Sequence, residues 1–251
     1  MSQTSKVPAV DSAVQILDLL AASPNSLTLS EIAEETALAA STTHRLLAVL
    51  LEKNMISIDP SQKKKYCMGS HIFQLASALF SRQDTIPIFH PIAEILKHET
   101  YHSVYLHVEI GNRVVVIAKT ESSMAKVSNI YIGSTYPIYN SATGKSILSM
   151  HNEDYQREYL LNVLPKRADG KNTLEEMIEE LKMVKRLGYA TIESEKISNL
   201  CFIAAPVLNA NNRPIAAISL GVPAEQFEPR YIKVLSGHLI QATRQMAARL
   251  I

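Results

Sequence analysis

Apolar positions near the start of the chain recur at intervals of three and four residues, the spacing of a helix that buries one side. The first such run extends from Val10 to Ala21, and Pro24 supplies a stop signal. Thr28 and Glu31 have the spacing of a capping box, in which a hydroxyl and a carboxylate each bind a free backbone amide. The pattern therefore predicts two helices, the second of which begins near residue 28.

A third helix is predicted next, with Ser41 as its N-cap and Asn54 at a left-handed position after its end. Its apolar stripe consists of four leucines: Leu46, Leu47, Leu50 and Leu51. Residues 55–58 and 63–68 then form two predicted strands around a turn at 59–62, which indicates a β-hairpin. Because the leucines occupy the rest of the helix, its first turn is free to face outward.

The pattern changes beyond residues 70–85, where we place a domain boundary. Helical patterns at 71–81 and 86–100 lead from the first unit into the second. The strands predicted after them are 104–110, 114–119, 127–132, 189–193, 202–208 and 215–222, and the helices are 141–150, 154–161, 173–187 and 229–250. These elements predict a mixed α+β domain built around one sheet.

The amino-acid composition limits which binding partners and which cellular compartment can be predicted for the protein. The 251 residues carry 25 Lys and Arg against 24 Asp and Glu, a net charge of +1, so bulk charge indicates neither a nucleic acid nor a membrane. Two cysteines, Cys67 and Cys201, exclude a disulfide framework and a four-cysteine zinc module and favour a reducing compartment. No signal-like core or membrane-spanning apolar stretch is present, so we expect a cytoplasmic protein with no membrane partner.

The order helix, helix, turn, helix, hairpin is typical of a winged helix-turn-helix, in which the start of one helix enters the major groove of DNA. The predicted DNA-binding residues are Ser41, Thr42, Thr43, His44, Arg45, Lys63, Lys64 and Lys65. Hydroxyls and lysines suit phosphate oxygens, and Arg45 suits a guanine edge. An ordinary helix cap and a solvated hairpin would contain the same residues without binding DNA.

Local charge favours the DNA-binding interpretation. Residues 1–43 carry one basic and five acidic residues, a net charge of −4, whereas residues 44–65 carry five basic and two acidic residues, a net charge of +3. The positive charge therefore falls in the segment that would contact DNA, although the unit as a whole is not basic.

Several short segments match the pattern of a known family in order and spacing. They are 27–33 (LTLSEIA), 41–47 (STTHRLL), 65–69 (KYCMG), 141–145 (SATGK), 187–190 (LGYA), 203–207 (IAAPV) and 216–219 (AAIS). On these segments the chain resembles the IclR family of bacterial transcriptional regulators over nearly its whole length. The resemblance implies a winged helix-turn-helix domain over residues 1–70, a linker helix over 71–84, and a GAF-like effector-binding domain with a central antiparallel sheet over 85–251.

The same resemblance implies effector-binding residues at the start of one helix and on two strands. They are Ala142, Thr143, Gly144, Phe202, Ser219 and Gly221. A helix that begins near Ser141 would direct free N–H groups toward a carboxylate, and two of these residues carry hydroxyl donors. We therefore expect a small organic acid as the effector; the alternative is an ordinary N-cap in front of a buried helix.

The chain departs from the family pattern at several positions. Asn54 and Asn199 stand where the family usually has Gly, and Asn enters the left-handed region more readily than most residues. Phe202 and Gly221 stand where relatives offer a Cys and a second Ser, while Cys201 is one position out of register. The identity of the effector therefore does not carry over from the family.

Two further motifs indicate enzymes. His98-Glu99-Thr100-Tyr101-His102 matches the H-E-x-x-H zinc motif, but the alternating residues after it predict that the helix ends near His102, which removes the metalloprotease geometry. Residues 142–146 (ATGKS) resemble the end of a P-loop, but Tyr139 stands where its first Gly is required. We predict no catalytic residues, no metal site and no cofactor.

Together the residues predict a ligand-responsive DNA-binding regulator, not an enzyme, and in particular a repressor of a nearby metabolic operon. One winged helix-turn-helix unit recognises too few base pairs for useful specificity, so we expect a homodimer, or two paired dimers, on palindromic double-stranded DNA. Two alternatives stay open at this point. They are a GAF-like small-molecule sensor that acts through protein contacts and an H-E-x-x-H zinc metallohydrolase.

Overall fold

The computed structural model describes residues 7–80, 85–122, 130–164, 173–193 and 199–250, with only the backbone described for 77–80. The chain divides into two compact units, residues 1–82 and 83–251. Within the described helices, none is both long and apolar enough to cross a bilayer.

The amino-terminal unit combines four helices with a small sheet. Its elements are α1 (Pro8–Ala22), β1 (Leu27–Thr28), α2 (Leu29–Thr36), α3 (Ala40–Glu52), β2 (Ile56–Ile58), β3 (Lys65–Met68) and α4 (Ser70–Phe80). The predicted hairpin is present as β2 and β3, and β1 adds a third antiparallel strand on the other side of β3. We did not predict β1, because two residues are too few to show an alternating pattern.

The core of this unit forms where α1, α2 and α3 meet the hairpin. The fully buried apolar residues are Ile16, Leu20, Ile32, Leu47, Leu50 and Ile56. The residues in α1 and α3 lie three or four positions apart on one side of each helix, as the sequence pattern requires. Burial of this stripe therefore fixes which side of α3 faces water.

Of three predictions about the ends of helices, two are confirmed and one is wrong. Thr28 and Glu31 form the predicted capping box, and Asn54 has a left-handed φ of 53°. Ser41, however, is not the N-cap of α3, because the helix begins at Ala40 with Ala39 as its N-cap and no side-chain cap. The Ala39 carbonyl accepts the first helical hydrogen bond from the Thr43 amide at 2.9 Å, so Ser41 already lies inside the helix.

The carboxy-terminal unit is built on a single sheet. Its elements are α5 (Thr85–Thr100), β4 (Ser103–Ile110), β5 (Arg113–Thr120), β6 (Thr135–Pro137), α6 (Ala142–Leu148), α7 (Glu153–Val163), α8 (Leu174–Leu187), β7 (Ala190–Ile192), β8 (Leu200–Leu208), β9 (Pro214–Pro223) and α9 (Pro229–Ala247). The six strands are antiparallel in the order β6-β5-β4-β9-β8-β7. The predicted α+β class is confirmed.

Both faces of this sheet are covered, because the central strands bury consecutive residues: 103–107 in β4, 203–205 in β8 and 216–222 in β9. Helices α5 and α9 pack against each other and against the sheet. Helices α6, α7 and α8 form a second apolar core with Val114 and Ala217. Helix α6 packs directly on β8 and β9, which brings its residues next to those two central strands.

The predicted strand at 127–132 is wrong in its described part. Residues 127–129 lie outside the described residues, and 130–132 are not in a strand. Instead, the Ser134 amide donates to the Tyr131 carbonyl at 3.0 Å, and Gly133 adopts a φ of 96°, which closes a turn before β6 begins at Thr135. Apolar residues that alternate across a turn give the same sequence pattern as a strand, and only the pairing with β5 separates the two.

Candidate DNA interface and effector site

The first turns of α3 present polar side chains to solvent. Ser41, Thr42, His44 and Arg45 are exposed, whereas Leu47 and Leu50 on the opposite side of the helix are buried. The same helix therefore has a core face and a polar face near its amino terminus. Such a surface can enter a groove without disturbing the core of the unit.

Thr43 does not belong to this exposed set. Its side chain is completely buried, and its hydroxyl donates to the Ala39 carbonyl at 3.2 Å. A helical turn places residue 43 on the same side as residues 47 and 50, so it faces the core. The prediction that Thr43 reaches a DNA groove is corrected for this reason: Thr43 supports the start of α3 from inside.

The three hairpin lysines lie at the turn between β2 and β3. Lys63 and Lys64 are exposed, and Lys65 is partly buried at the first position of β3. Lys64 has a φ of 69°, a left-handed conformation that tightens the turn. In the part of the chain that the structure describes, neither Arg45 nor these lysines form a salt bridge. Their charges are therefore available to phosphate groups.

Asp59 holds this turn, a role that the sequence analysis missed. Its carboxylate accepts hydrogen bonds from the Ser61 amide at 2.8 Å, from the Ser61 hydroxyl at 2.6 Å and from the Ser26 hydroxyl. These bonds favour the charged form, led by the bond from Ser26, and lower the pKa of Asp59 to about 2. The Asp-Pro-Ser sequence at 59–61 is a usable signal for such a turn.

In the second unit, Ser141 caps α6. Its Oγ accepts from the Gly144 amide at 3.0 Å and donates to the Pro137 carbonyl at 2.8 Å. Ala142, Thr143 and Gly144 are buried behind it. A Cβ added to Gly144 would lie 2.2 Å from the Ile138 carbonyl oxygen, so this close approach requires glycine.

Ser219 is paired inside the sheet. Its Oγ lies 2.9 Å from Nε2 of His107, a residue of the neighbouring strand β4. Both side chains are buried, and Nδ1 of His107 has no hydrogen-bond partner among the residues that the structure describes. Burial disfavours the charged imidazolium and lowers the pKa of His107 to about 3, so the ring is neutral at neutral pH.

Phe202 and Gly221 lie opposite each other in the β8–β9 pair. A Cβ added to Gly221 would lie 3.3 Å from Cε1 of Phe202 and 3.4 Å from Cε2 of Tyr105. The two rings meet edge to face with centroids 6.4 Å apart. The missing side chain at Gly221 therefore makes room for two aromatic rings, and Cys201, one residue earlier, faces the other side of the sheet.

The strand register brings part of the predicted effector set together. Gly221 and Ser219 lie on the same face of β9, and Phe202 and Tyr105 pair with these two positions. Tyr105 and His107 of β4 were missed by the sequence analysis. The alternation of Ser103, Tyr105 and His107 with apolar residues was the available signal, because it marks one side of a buried strand as polar.

The H-E-x-x-H segment does not form a metal site. Helix α5 ends at Thr100 and Tyr101 has a left-handed φ of 62°, so His102 lies beyond the helix, as predicted. His102 Nε2 lies 3.0 Å from the Tyr231 hydroxyl, and Glu99 Oε2 lies 3.0 Å from His238 Nδ1. Among the described residues, no group of three or more His, Cys, Asp or Glu could hold a metal ion.

Each of the two units contains a segment that matches a known protein family. The family model "IclR helix-turn-helix domain" matches residues 9–60, and "Bacterial transcriptional regulator IclR C-terminal" matches residues 77–248. The Transcriptional repressor IclR of Escherichia coli (strain K12) is 24% identical over 248 residues, which cover 97% of this chain and 90% of that protein.

Solved structures show the same fold. The Thermotoga maritima IclR structure has a TM-score of 0.74 at 25% identity and covers 97% of this chain and 98% of that one. An IclR homolog from Microbacterium hydrocarbonoxydans, solved with 4-hydroxybenzoate, has a TM-score of 0.79 at 20% identity and covers 96% and 98%. The families and relatives that match are DNA-binding transcriptional regulators and not enzymes. This chain belongs to the IclR family of ligand-responsive bacterial transcriptional regulators.

Proposed function

We propose that this regulator represses a metabolic operon near its own gene, in the cytoplasm, and that a small organic acid controls its binding to DNA. The observation that carries the proposal is the outward-facing start of α3, backed by the buried Leu47 and Leu50. A relative of similar length is a transcriptional repressor, which supports the direction of control.

The DNA contacts divide into two kinds. Ser41, Thr42, His44 and Arg45 lie in the major groove, where Arg45 binds a guanine edge through two hydrogen bonds. Lys63, Lys64 and Lys65 neutralise backbone phosphates from the hairpin. Thr43 contributes only by holding the helix start in place.

A homodimer on a palindromic operator supplies the required specificity, because two winged helix-turn-helix units make twice as many base contacts as one. Two helices of the amino-terminal unit expose large apolar side chains that are suited to pairing. They are Val10 and Val14 on α1 and Phe73 and Leu75 on α4. Phe73 is 76% exposed, and contact with a second copy would bury this apolar surface.

Each part of the chain has its own proposed role. Residues 1–70 bind DNA, the helix within 71–84 links the units, and residues 85–251 bind the effector. The effector binds near Ala142, Thr143 and Gly144, and near Phe202, Ser219 and Gly221 on the sheet. A family member of the same fold was solved with 4-hydroxybenzoate, an organic acid, which supports this class of ligand.

Ser219 and His107 leave one hydrogen-bond donor for a carboxylate ligand, whichever of the two side chains donates the bond between them. If the Ser219 hydroxyl donates to His107 Nε2, then His107 Nδ1 carries an N–H that lacks an acceptor. If His107 Nε2 donates instead, the Ser219 hydroxyl has a hydrogen to give. In both cases one neutral donor is left for an acceptor oxygen. The protein must have one arrangement of its DNA-binding units that fits the operator and one that does not. The ligand regulates DNA binding only if it binds these two arrangements with different affinity.

The test is a fluorescence-anisotropy titration of the full chain against double-stranded DNA from upstream of its gene and against scrambled DNA. We expect preferential binding to the upstream DNA and release by at least one member of a panel of small carboxylates. Equal binding to both DNAs would contradict the DNA assignment and favour a sensor that acts through protein contacts. Sequence-specific binding that no carboxylate alters would contradict only the effector assignment.

A further inference from the structure

A cleft of about 470 Å³ opens at the end of the sheet where β4 turns into β5. Its polar lining residues are Glu109, His151 and Tyr155, and its apolar lining residues are Ile147, Pro214 and Ile215. The candidate effector residues Ala142 to Gly144 begin α6, whereas Ile147 and His151 lie at and beyond its other end. The cleft is therefore separate from the effector residues.

Glu109 is a partly buried carboxylate without a strong cationic partner. Its side chain is 25% exposed, its Oε1 accepts from the Tyr155 hydroxyl at 3.3 Å, and its Oε2 lies 3.5 Å from Nε2 of His151. Within the described ranges, Glu109 forms no salt bridge with a lysine or an arginine. A negative charge thus remains at the wall of the cleft.

His151 cannot fully satisfy Glu109 in its neutral form. Its ring stacks on Tyr155 with centroids 4.4 Å apart and an angle of 25° between the planes. Nε2 is buried and has no hydrogen-bond partner in the described part of the chain. When the ring proton is on Nδ1, Nε2 of His151 and Oε2 of Glu109 are two acceptors that face each other. In that tautomer Oε2 of Glu109 receives no hydrogen bond from His151, so a cationic N–H donor in the cleft would satisfy it.

The rest of the cleft suits a short hydrocarbon chain. Ile147 is fully buried beneath it, and Pro214 and Ile215 at the start of β9 are half-buried along its side. A volume of about 470 Å³ is far larger than a metal ion needs and lies within the range of small-molecule sites. The carboxylate of Glu109 and the apolar residues beside it together suit a ligand with one cationic end and a short apolar chain.

We propose that this cleft is a second ligand site, which binds a small primary amine with a short apolar chain. The ammonium donates hydrogen bonds to the Glu109 carboxylate, and the chain lies against Ile147, Pro214 and Ile215. Charged hydrogen bonds of this kind supply most of the specificity, because a neutral alcohol of the same length leaves the carboxylate without a counter-charge.

The experiment is isothermal titration calorimetry of the full chain with n-butylammonium chloride, with n-butanol as the neutral probe. We expect saturable binding of the amine, with a dissociation constant of about 1 mM or below, and no binding of the alcohol. Glu109→Gln removes the charge but keeps an acceptor for Tyr155, and we expect it to weaken amine binding at least tenfold. Glu158→Gln is the matched control, because Glu158 is an exposed carboxylate on the same helix as Tyr155 and does not line the cleft.

A second variant keeps the test valid if Glu109→Gln is poorly folded. In the wild type, affinity should rise from methylammonium to butylammonium by up to about fourfold for each methylene that becomes buried. Ile215→Ala should flatten this dependence on chain length without abolishing binding of methylammonium. Absence of amine binding to the wild type, equal binding to a folded Glu109→Gln variant, or an unchanged chain-length dependence in Ile215→Ala would each overturn the proposal.

Discussion

The proposed DNA-binding surface and the candidate effector residues use the same kinds of side chain in opposite ways. At the start of α3, Ser41, Thr42 and His44 are exposed and have their hydrogen-bonding groups in water. In the second unit, Ser219 and His107 are buried and bonded to each other. If both proposed sites are correct, DNA replaces water at the first, whereas an effector at the second competes with bonds inside the protein. We expect DNA binding to depend mainly on charge and salt, and effector binding to depend on rearrangement of a few internal bonds.

We expect Leu47→Ala to have the largest effect, because it should lower both the stability of the amino-terminal unit and its binding to DNA. This change removes a fully buried side chain from the core behind α3 and should lower the free energy of unfolding of the amino-terminal unit by about 2–5 kcal/mol. Chemical denaturation measures the loss, and DNA binding should fall with it. Val49→Ala, at an exposed position of the same helix, is the control and should change little. Equal effects of the two variants would contradict a buried leucine face.

The next effect concerns acid stability, through His107. The pKa of this buried ring is about 3 in the folded chain, well below its usual value near 6.5, so the unfolded chain binds more protons between these pH values. The stabilisation by neutral His107 is thus complete above about pH 6.5 and is lost as the pH falls toward about 3. Denaturation measured across this range should show the decline.

The variant His107→Gln isolates this contribution. It should flatten the decline between about pH 6.5 and 4, where the lowered pKa of Asp59 has little influence because Asp59 loses its stabilising charge only between about pH 4 and 2. His102, whose pKa burial also lowers, remains in the variant and accounts for a residual slope. An identical slope in wild type and variant would show that His107 is not buried as a neutral ring.

A smaller effect is expected at the exposed end of α3. Arg45→Ala should weaken binding to the operator by about 1–3 kcal/mol and leave binding to scrambled DNA nearly unchanged, because a bidentate guanine contact carries sequence information. Anisotropy titrations with both DNAs measure the difference. Lys53→Ala removes a positive charge from just beyond the other end of the helix, where Lys53 pairs with Glu52, and is the control. A uniform loss on both DNAs would reassign Arg45 to a phosphate.

The smallest effect should come from Lys64→Gln. Loss of one phosphate contact should weaken binding to every sequence and reduce the slope of log affinity against log salt by about 0.9. Titrations at several salt concentrations measure this slope. An effect confined to the operator sequence would show that the hairpin reads bases and does not only bind phosphates.

Long periodic segments were predictable from sequence, and short or long-range features were not. Helices α1, α8 and α9 follow from apolar spacing over several turns, and the Thr28 capping box follows from local chemistry. The N-cap of α3 was wrong by two residues, because Ser, Thr and Ala occur together at 39–43 and any of them can begin a helix. The burial of Thr43 was missed although the sequence contained the signal: Thr43 lies four positions before Leu47, so the two residues share one side of the helix.

The sequence by itself determined the long helices, the leucine face of α3 and the left-handed position at Asn54, because these depend on residues close together in the chain. Only the tertiary structure decided that His107 meets Ser219, that Gly221 makes room for Phe202 and Tyr105, and that Glu109 faces His151. These contacts join residues tens of positions apart. Strand pairing fixes their register, and a pattern in one segment contains no information about the register of another.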